Sequence, residues 1–395
     1  MPLRRRVPPA FLLGLSVALV ACGLLGGNPR KDDPDIVRPE PPAGAAAWAS
    51  IEWLPVTVDR PPRDLPAEAD YLEALAAGPG GYVAVGGNSM ADGYLARIWR
   101  SVDGLAWETV DAPVLDGVEV WSVAANADRY VAVGTRGFNS VDVAAEILIS
   151  PDGSSWSVAE RIDGAWGGAV AAGPAGFIVH IQFEIEGASD LLVSDTGKDW
   201  RPVAGSDVAE GVEIRDIAWD TTSWLAVGSV GTRAAVFRSP DGRTWTEEPL
   251  PGSEPVNGLL DVYPYAVVPG RWATLIMGLD RAPSCAEDDD WCGRYQVTWS
   301  SAGSGGWTRL PSDTWINTIG SGVEAYPAGD AGFLTLALEN RTSPDGWEWS
   351  EVAGTRKDFA VQFEAVVLND LIVTLEIGES GIPNQFGAAR LVVAE

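Results

Sequence analysis

The sequence predicts an all-β protein: a seven-bladed β-propeller of four-stranded antiparallel blades, with an N-terminal strand closing the last blade. Two repeats predict this fold, a hairpin motif that occurs seven times and a turn motif that occurs six times. Such repeats indicate an architecture in which each unit buries its apolar surface against its neighbours. A linear solenoid and rings of six or eight blades are the alternatives.

The turn motif has the form Ser-x-Asp-Gly-x-x-Trp, and Ser150-Pro151-Asp152-Gly153 with Trp156 is a full copy. Proline presets the second position of a type I turn, and glycine accepts the left-handed conformation at its end. The aspartate can accept bonds from turn amides, and the tryptophan buries a large apolar face. The motif therefore links the third and fourth strands of a blade. Four copies keep the aspartate, at Asp103, Asp152, Asp241 and Asp345, and degenerate copies begin at Ser194 and Ser300.

The hairpin motif precedes each turn and reads, in its first copy, Leu75-Ala76-Ala77-Gly78-Pro79-Gly80-Gly81-Tyr82-Val83-Ala84-Val85-Gly86. Two apolar runs around a short polar turn are typical of a β-hairpin. A hairpin, a third strand, the Asp-Gly turn and a fourth strand make one blade. The other copies begin at Val123, Val170, Ile217, Val267, Tyr326 and Val366.

The count of motifs predicts how the ring closes. After the seventh hairpin comes a third strand, 389–393, and no turn motif follows it. The segment 51–56 resembles the strands that follow the turns. We expect it to dock as the outer strand of the seventh blade, which joins the two ends of the ring and leaves no exposed inner edge.

The N-terminal residues predict export and lipid anchoring. Arg4 to Arg6 form a basic region, and the apolar run 10–21 is short for a membrane span. The run ends in Leu19-Val20-Ala21-Cys22, which resembles a bacterial lipobox. We expect a signal peptide at 1–21, a disordered tether at 22–47 starting from lipidated Cys22, and the propeller at 48–395. An ordinary signal peptide with a chance cysteine is the alternative.

The composition excludes several function classes. A formal net charge of -28 argues against nucleic acid as a partner, because phosphates require Lys and Arg. Three cysteines and one histidine leave no zinc site of the usual types, and no metal or cofactor is expected. The single histidine, His180, lies in an apolar strand pattern, which favours a structural role over a catalytic triad. We expect a monomer that meets the membrane only through its lipid.

The turn motif resembles the Asp-box, or BNR repeat, of sialidases and related propellers. The resemblance covers nearly all of 48–395, and it implies a propeller with the boxes at the blade periphery, away from any active site. A sialidase would also need an arginine triad, a tyrosine nucleophile and an early Arg-Ile-Pro-like segment. The segment most similar to Arg-Ile-Pro, Ala96-Arg97-Ile98-Trp99, lacks the proline. The resemblance therefore implies architecture more than activity.

We aligned the seven innermost strands on their buried apolar residue. The residues two positions before it in each strand form what we call the ring. Its members are Glu73, Trp121, Gly168, Arg215, Tyr265, Glu324 and Glu364. The next position is small in nearly every blade, which lets seven strands approach the axis. We expect the ring to surround the mouth of the channel, on the face that carries the longer loops.

The longest of these loops contains Cys285 and Cys292, whose spacing permits a local disulfide in an exported protein. Acidic residues 287–290 lie between them. Clustered carboxylates suit calcium, but the spacing is not that of a known calcium loop, and a solvated acidic loop is favoured.

Two functions from different classes follow. The first is a non-catalytic envelope module that binds a glycan, a peptide or an envelope protein, with Trp121, Arg215, Tyr265, Glu324 and Glu364 as candidate contacts. The second is a glycoside hydrolase that uses the ring carboxylates Glu73, Glu324 and Glu364, with Arg215 and Tyr265. Hydrated residues without a ligand, and an assembly factor for a membrane complex, are further alternatives.

Overall fold

Seven β-sheets surround a common axis in the computed structural model of the protein. The structure describes residues 40, 42–45, 47–59, 70–90, 93–137, 142–183, 189–203, 212–253, 262–281, 294–302, 306–312, 314–318, 324–336, 339–354, 361–368, 371–377 and 383–393. The innermost strand of each sheet contacts the innermost strands of the two neighbouring sheets, and the seventh contacts the first. The predicted seven-bladed propeller is therefore confirmed.

Each blade takes consecutive strands from the chain, and the first is innermost. The chain begins with β1 (Trp48–Leu54) and β2 (Thr57–Asp59). Blade 1 contains β3 (Asp70–Gly78), β4 (Gly81–Met90), β5 (Gly93–Ser101) and β6 (Ala106–Val110). Blade 2 contains β7 (Val118–Ala125), β8 (Tyr130–Arg136), β9 (Ala144–Ser150) and β10 (Ser157–Asp163). Blade 3 contains β11 (Ala165–Gly173), β12 (Gly176–Phe183), β13 (Ser189–Ser194) and β14 (Arg201–Pro202).

The second half of the ring follows the same order. Blade 4 contains β15 (Val212–Trp219), β16 (Trp224–Val230), β17 (Arg233–Ser239) and β18 (Thr246–Glu248). Blade 5 contains β19 (Val262–Pro269), β20 (Thr274–Arg281), β21 (Arg294–Ser301) and β22 (Thr308–Arg309). Blade 6 contains β23 (Ala325–Pro327), β24 (Phe333–Thr335), β25 (Arg341–Ser343) and β26 (Ser350–Glu351). Blade 7 contains β27 (Val361–Leu368), β28 (Leu371–Ile377) and β29 (Pro383–Val393). Short helical segments lie at α1 (Trp315–Thr318), Pro113–Leu115 and Gly329–Ala331.

The first strand closes the ring as predicted. Strand β1 pairs antiparallel with β29, with Ile51 opposite Leu391 and Trp53 opposite Ala389. Its bounds are shifted towards the N-terminus relative to the predicted segment 51–56, since the strand ends before Pro55, which has no N–H to donate. Backbone hydrogen bonds thus hold the two ends of the described chain in one blade.

One blade differs from the predicted four strands. Strand β2 pairs in parallel with β6, with Val58 opposite Trp107, so the first sheet has five strands. The chain that leaves β1 passes the outer edge of blade 1 on its way to β3, and it covers that edge. The pattern of a three-residue strand is too short to be recognised from the sequence.

The core lies between adjacent blades. Trp245, from the turn motif of blade 4, is 2% exposed and packs with Ile178 and Val193 of blade 3. Burying one large apolar side chain contributes roughly 1.5–3 kcal/mol. Within the described residues, seven such clusters each join two neighbouring blades, so the ring is stabilised by contacts all the way round.

The Asp-Gly turns are held by their own side chains. In the second copy, Asp152 Oδ1 accepts bonds from the amides of Ser154 (2.9 Å) and Ser155 (3.0 Å). The Gly153 amide donates to Ser150 Oγ at 2.8 Å, and Trp156 Nε1 donates to the Gly153 carbonyl at 2.9 Å. Gly153 has a φ of 79°, which favours glycine. The glycine-to-serine and tryptophan-to-glycine bonds recur in the copies at Asp103, Asp241 and Asp345.

The degenerate copies differ from each other. The copy that begins at Ser194 keeps the tryptophan bond, from Trp200 Nε1 to the Gly197 carbonyl at 3.1 Å. In the copy that begins at Ser300, Trp307 Nε1 instead donates to Glu248 of the preceding blade at 2.8 Å. The tryptophan keeps its place between blades after the turn that usually positions it has diverged.

The turns and the hairpin ends share one face of the propeller. A Cβ placed on Gly153 would lie 2.6 Å from Val83, next to the first hairpin turn, and one on Gly80 would lie 2.2 Å from the Asp152 carbonyl. The innermost strands run from this turn face to the opposite face. The ring positions lie towards that opposite end of each strand.

Candidate functional site

The ring positions coincide with breaks in strand pairing. Pairing of the innermost strand with the second strand shifts register at this point in six of the seven blades. The extra residue is Glu73, Trp121, Arg215 or Tyr265 in four of these blades, and in blade 7 it directly precedes Glu364. Such β-bulges turn a side chain away from the regular alternation. All seven ring residues are partly exposed; six lie on the innermost strands and Glu324 directly precedes β23.

A glycine on the second strand makes room for each of several bulges. A Cβ on Gly228 would lie 1.9 Å from the Glu213 carbonyl oxygen, and the same clash occurs at Gly86 and Gly134. The Val-Gly pair that ends the hairpin motif thus has a steric cause. The bulge, and with it the direction of the ring side chain, requires a residue without a Cβ at this point.

Three carboxyl groups on blades 4, 6 and 7 form what we call the acidic arc: Asp216, Glu324 and Glu364. Burial, and then the charge of Asp216, raise the pKa of Glu324 to about 8. Burial, followed by the charges of Glu324 and Asp216, raises the pKa of Glu364 well above its ordinary value. The charges that act on these two glutamates are all negative among the described residues, so the arc favours protons or another cation.

Asp216 also holds two blades together. Its Oδ2 accepts a bond from the Val267 amide of blade 5 at 2.8 Å, and its Oδ1 accepts one from the Ile217 amide at 2.8 Å. Burial nevertheless raises the pKa of Asp216 to about 7, against the lowering effect of these two bonds. The sequence placed Asp216 among the small residues next to the ring and did not indicate this bridge.

Two tyrosines extend the acidic arc. Tyr265, a ring residue, and Tyr326, which is 4% exposed, each have a buried hydroxyl without a hydrogen-bond partner among the described residues. Burial, then the charges of Glu324 and Glu364, raise the pKa of Tyr326 well above its usual range. Tyr326 stands where the other six hairpins have Leu, Val or Ile. That exception is visible in the sequence, but the apolar residues at the same position of the other hairpins predict a core position.

A second acidic pair lies on blades 1 and 2. Burial raises the pKa of Glu73 to about 7. Burial also raises the pKa of Glu119 to about 8, although Tyr71 donates a 3.0 Å hydrogen bond to Glu119 Oε1. Glu119 Oε2 is buried without a hydrogen-bond partner among the described residues. Sequence reasoning missed Glu119, and the only signal was a charged residue between Val118 and Val120.

His180 occupies the ring at blade 3. A Cβ on Gly168 would lie 2.5 Å from His180 Nδ1, so the imidazole fills the place that the Gly168 side chain leaves empty. Burial, and then the charge of Arg215, lower the pKa of His180 to about 4, so the imidazole is neutral at pH 7. Nε2 has no hydrogen-bond partner within the described part of the chain. The histidine lies on strand β12, as predicted, and faces the ring.

The remaining ring residues are held by their own or a neighbouring blade. Arg215 donates to Glu213 at 2.8 Å and lies 3.5 Å from the centre of the Tyr263 ring, a cation–π contact. Trp121 Nε1 donates to Thr135 Oγ1 at 3.1 Å, which fixes the indole and leaves it half-buried. Contacts within the protein therefore fix the positions of both side chains.

Other predicted features lie outside the described residues: Cys22 and its lipid, the tether up to residue 39, and Cys285, Cys292 and the acidic loop between them. Within the described ranges, no group of three or more His, Cys, Asp or Glu side chains could hold a metal ion. No helix in the described part of the chain is long and apolar enough to cross a membrane.

Comparison with known proteins supports the fold alone. No family model matches the chain. No curated protein matches it either. A GH74 xyloglucanase from Xanthomonas campestris superposes with a TM-score of 0.50 at 12% identity, over 87% of this chain and 54% of that one.

Two further solved structures cover most of both chains. An α-L-arabinofuranosidase of Fusarium graminearum gives a TM-score of 0.49 at 10% identity, over 89% of this chain and 98% of that one. A neuraminidase-like protein of a flat-faced bat virus gives 0.42 at 10% identity, over 88% and 95%. At such identities the similarity does not extend to activity.

Proposed function

We propose that this protein is an exported lipoprotein, anchored through Cys22 to the extracytoplasmic side of a bacterial membrane, whose propeller binds a carbohydrate at the ring without hydrolysing it. The anchor rests on the lipobox-like segment before Cys22. The binding site rests on the ring. We also assign the chain to the Asp-box propellers, on the aspartate-to-amide and tryptophan-to-carbonyl bonds of its turns.

One observation carries the proposal. Four buried polar atoms near the ring have no hydrogen-bond partner among the described residues: Glu119 Oε2, His180 Nε2, Tyr265 OH and Tyr326 OH. Buried polar groups are normally paired, and an unpaired one loses roughly 1–3 kcal/mol. A ligand rich in hydroxyl groups can donate to and accept from all four atoms. The half-buried Trp121 adds an apolar ring face for a sugar to stack on.

The test is a binding screen of the full chain in detergent against an array of glycans, followed by calorimetry on each hit. Tyr326→Phe removes one unpaired hydroxyl and nothing else, and we expect it to weaken binding about tenfold, the loss for one buried hydrogen bond. Asp163→Ala, an exposed outer-strand change, is the control. Folded protein that binds no glycan would contradict the proposal.

A glycoside hydrolase is the second candidate, and the acidic arc is the observation that favours it. A carboxyl group with a pKa near 8, as in Glu324, is protonated at pH 7 and suits a general acid. Asp216, with a pKa of about 7, is partly ionised at pH 7 and would then serve as the second carboxylate. Hydrolysis of a panel of fluorogenic glycosides, sialosides included, that disappears in Glu73→Gln, Glu324→Gln or Glu364→Gln would establish the enzyme.

A further inference from the structure

We propose that the carbohydrate bound at the ring is an amino sugar, and that its ammonium group occupies the acidic arc between Asp216, Glu324 and Glu364, next to Tyr265 and Tyr326. This inference rests on the proposed function, because it names the class of ligand for the same site. It is carried by the placement of charges and by the two unpaired hydroxyls.

The arc contains carboxyl groups that the described chain does not pair with a positive charge. Glu324 and Glu364 have no ion pair with a described basic residue. The charge of Asp216 acts on both of them, and the charge of Glu324 acts on Glu364. The basic ring residue, Arg215, is directed towards Glu213 and lies over Tyr263. A positive charge brought by a ligand would compensate what the protein leaves uncompensated.

The unpaired hydroxyls are an independent indication of a ligand. Tyr326 is almost completely buried, its ring packs between blades 6 and 7, and its hydroxyl is influenced by Glu324, Glu364 and Tyr265. An aliphatic residue at this position, as in the other blades, would fill the core without placing a polar atom there. The hydroxyl therefore has a use at the arc that packing does not supply.

The hydrogen-bonding groups of the arc favour an ammonium group as the ligand. A protonated amine has three N–H donors and no acceptor, and the arc offers carboxylate and phenol oxygens that accept. An anion would make ionisation of these carboxyl groups still less favourable, whereas a cation makes it more favourable. Within the described ranges, no cluster is suited to a metal ion. Binding of the ammonium group favours the ionised carboxylates, so the complex should release protons to solvent.

The test compares two ligands that differ in one group, a glucosamine tetrasaccharide and its N-acetylated counterpart, by calorimetry with the full chain at pH 6. We expect the glucosamine ligand to bind about tenfold or more tightly, since a charge-assisted hydrogen bond is stronger than a neutral one. Repeating the titration in buffers with different ionisation enthalpies should show net proton release for the glucosamine ligand.

Variants assign the effect to the arc. Glu324→Gln should remove most of the preference for glucosamine and reduce proton release, and Tyr326→Phe should weaken glucosamine binding while the protein stays folded. Glu351→Gln, an exposed change on β26, should change neither. Melting curves check the fold of each variant.

The failures can be told apart. Equal affinity for the two tetrasaccharides would overturn the inference and leave carbohydrate binding standing. Binding of neither, by folded protein, would overturn the inference and contradict the proposed function as well. A preference that survives in Glu324→Gln would also overturn the inference, because the ammonium group would then lie elsewhere.

Discussion

The two ends of the blades use the same chemical group in opposite ways. At the turn face, burial alone would raise the pKa of Asp152, but the amides of Ser155 and Ser154 bring it down to about 2. At the ring, burial raises the pKa of Glu324 to about 8, and no described residue donates a hydrogen bond to it. The carboxylates of the turns accept hydrogen bonds from the backbone that they organise, whereas Glu324 accepts none from a described residue. The paired carboxylates therefore maintain the fold, and the unpaired Glu324 remains a candidate site residue.

The largest expected effect is a loss of stability when a bulge at the ring end of a blade is disturbed. Gly228→Ala places a Cβ 1.9 Å from the Glu213 carbonyl, so the bulge must move, and we expect a loss of about 3 kcal/mol or more of unfolding free energy. Gly231→Ala is the control, since a Cβ there meets no atom within 4 Å and only the φ of 58° is unfavourable. It should cost about 1 kcal/mol. Denaturant titration compares the two, and equal losses would contradict the steric role of Gly228.

The pH dependence of stability should follow the ring and not the turns. The pKa values of Glu73 and Asp216 are raised to about 7, and those of Glu119 and Glu324 to about 8. An acid whose pKa is raised on folding contributes stability that is fully present below its unfolded pKa, which is 4.5 for the glutamates and 3.8 for Asp216. This stability is lost as pH rises through the folded pKa, at up to about 1.4 kcal/mol per group and pH unit.

One group acts in the opposite direction. His180, with its pKa lowered to about 4, contributes stability that is present above about pH 6.5 and is lost as pH falls through 4. It offsets the raised acids only below about pH 6.5. We expect the melting temperature to fall between pH 6 and pH 8, measured by scanning calorimetry. A flat or rising melting temperature over this range would mean that the ring carboxyls are paired or fully solvated.

A turn aspartate should matter more than an exposed one on the same blade. Asp152→Ala removes the acceptor for two backbone amides, and we expect a loss of about 2 kcal/mol. Asp163→Ala removes only an exposed ion pair with Arg161 and should cost less than about 1 kcal/mol. Losses that do not differ would show that the tryptophan and serine bonds hold the turn without the aspartate.

The smallest expected effect is a gain in stability instead of a loss. Glu324→Gln removes a buried charge that has no described counter-charge, and we expect it to stabilise the protein by about 1 kcal/mol at pH 8 and less at pH 5. Glu351→Gln, on an outer strand, should leave stability unchanged at both values. If Glu324→Gln destabilises the protein at pH 8, the carboxyl has a structural partner and the contrast between the two faces is wrong for this residue.

The propeller was largely predictable because its signals are local and repeated. The hairpin beginning at Val123 and the turn around Asp152 each contain within a few residues the chemistry that forms them. Counting them gave seven blades, and the missing fourth strand led to β1. The parallel strand β2 was not predicted, since three residues carry no readable period.

The candidate site was only partly predictable. Counting back from the buried apolar position reached the extra residue of the bulge in four blades, because these blades have the same length there. It did not reveal Glu119, which lies off the ring position, or Tyr326, which occupies a core position. It placed His180 on a strand without showing that the strand faces Gly168.

The sequence by itself thus determined the number of blades, the closing strand and the chemistry of the turns, since each depends on residues near one another along the chain. Only the tertiary structure decided that Asp216, Glu324, Glu364 and Tyr326 act on one another. These residues come from three blades, and their common environment depends on bulges and on blade packing. Burial and like charge, which raise the pKa values of the ring carboxyls, arise only when the ring closes.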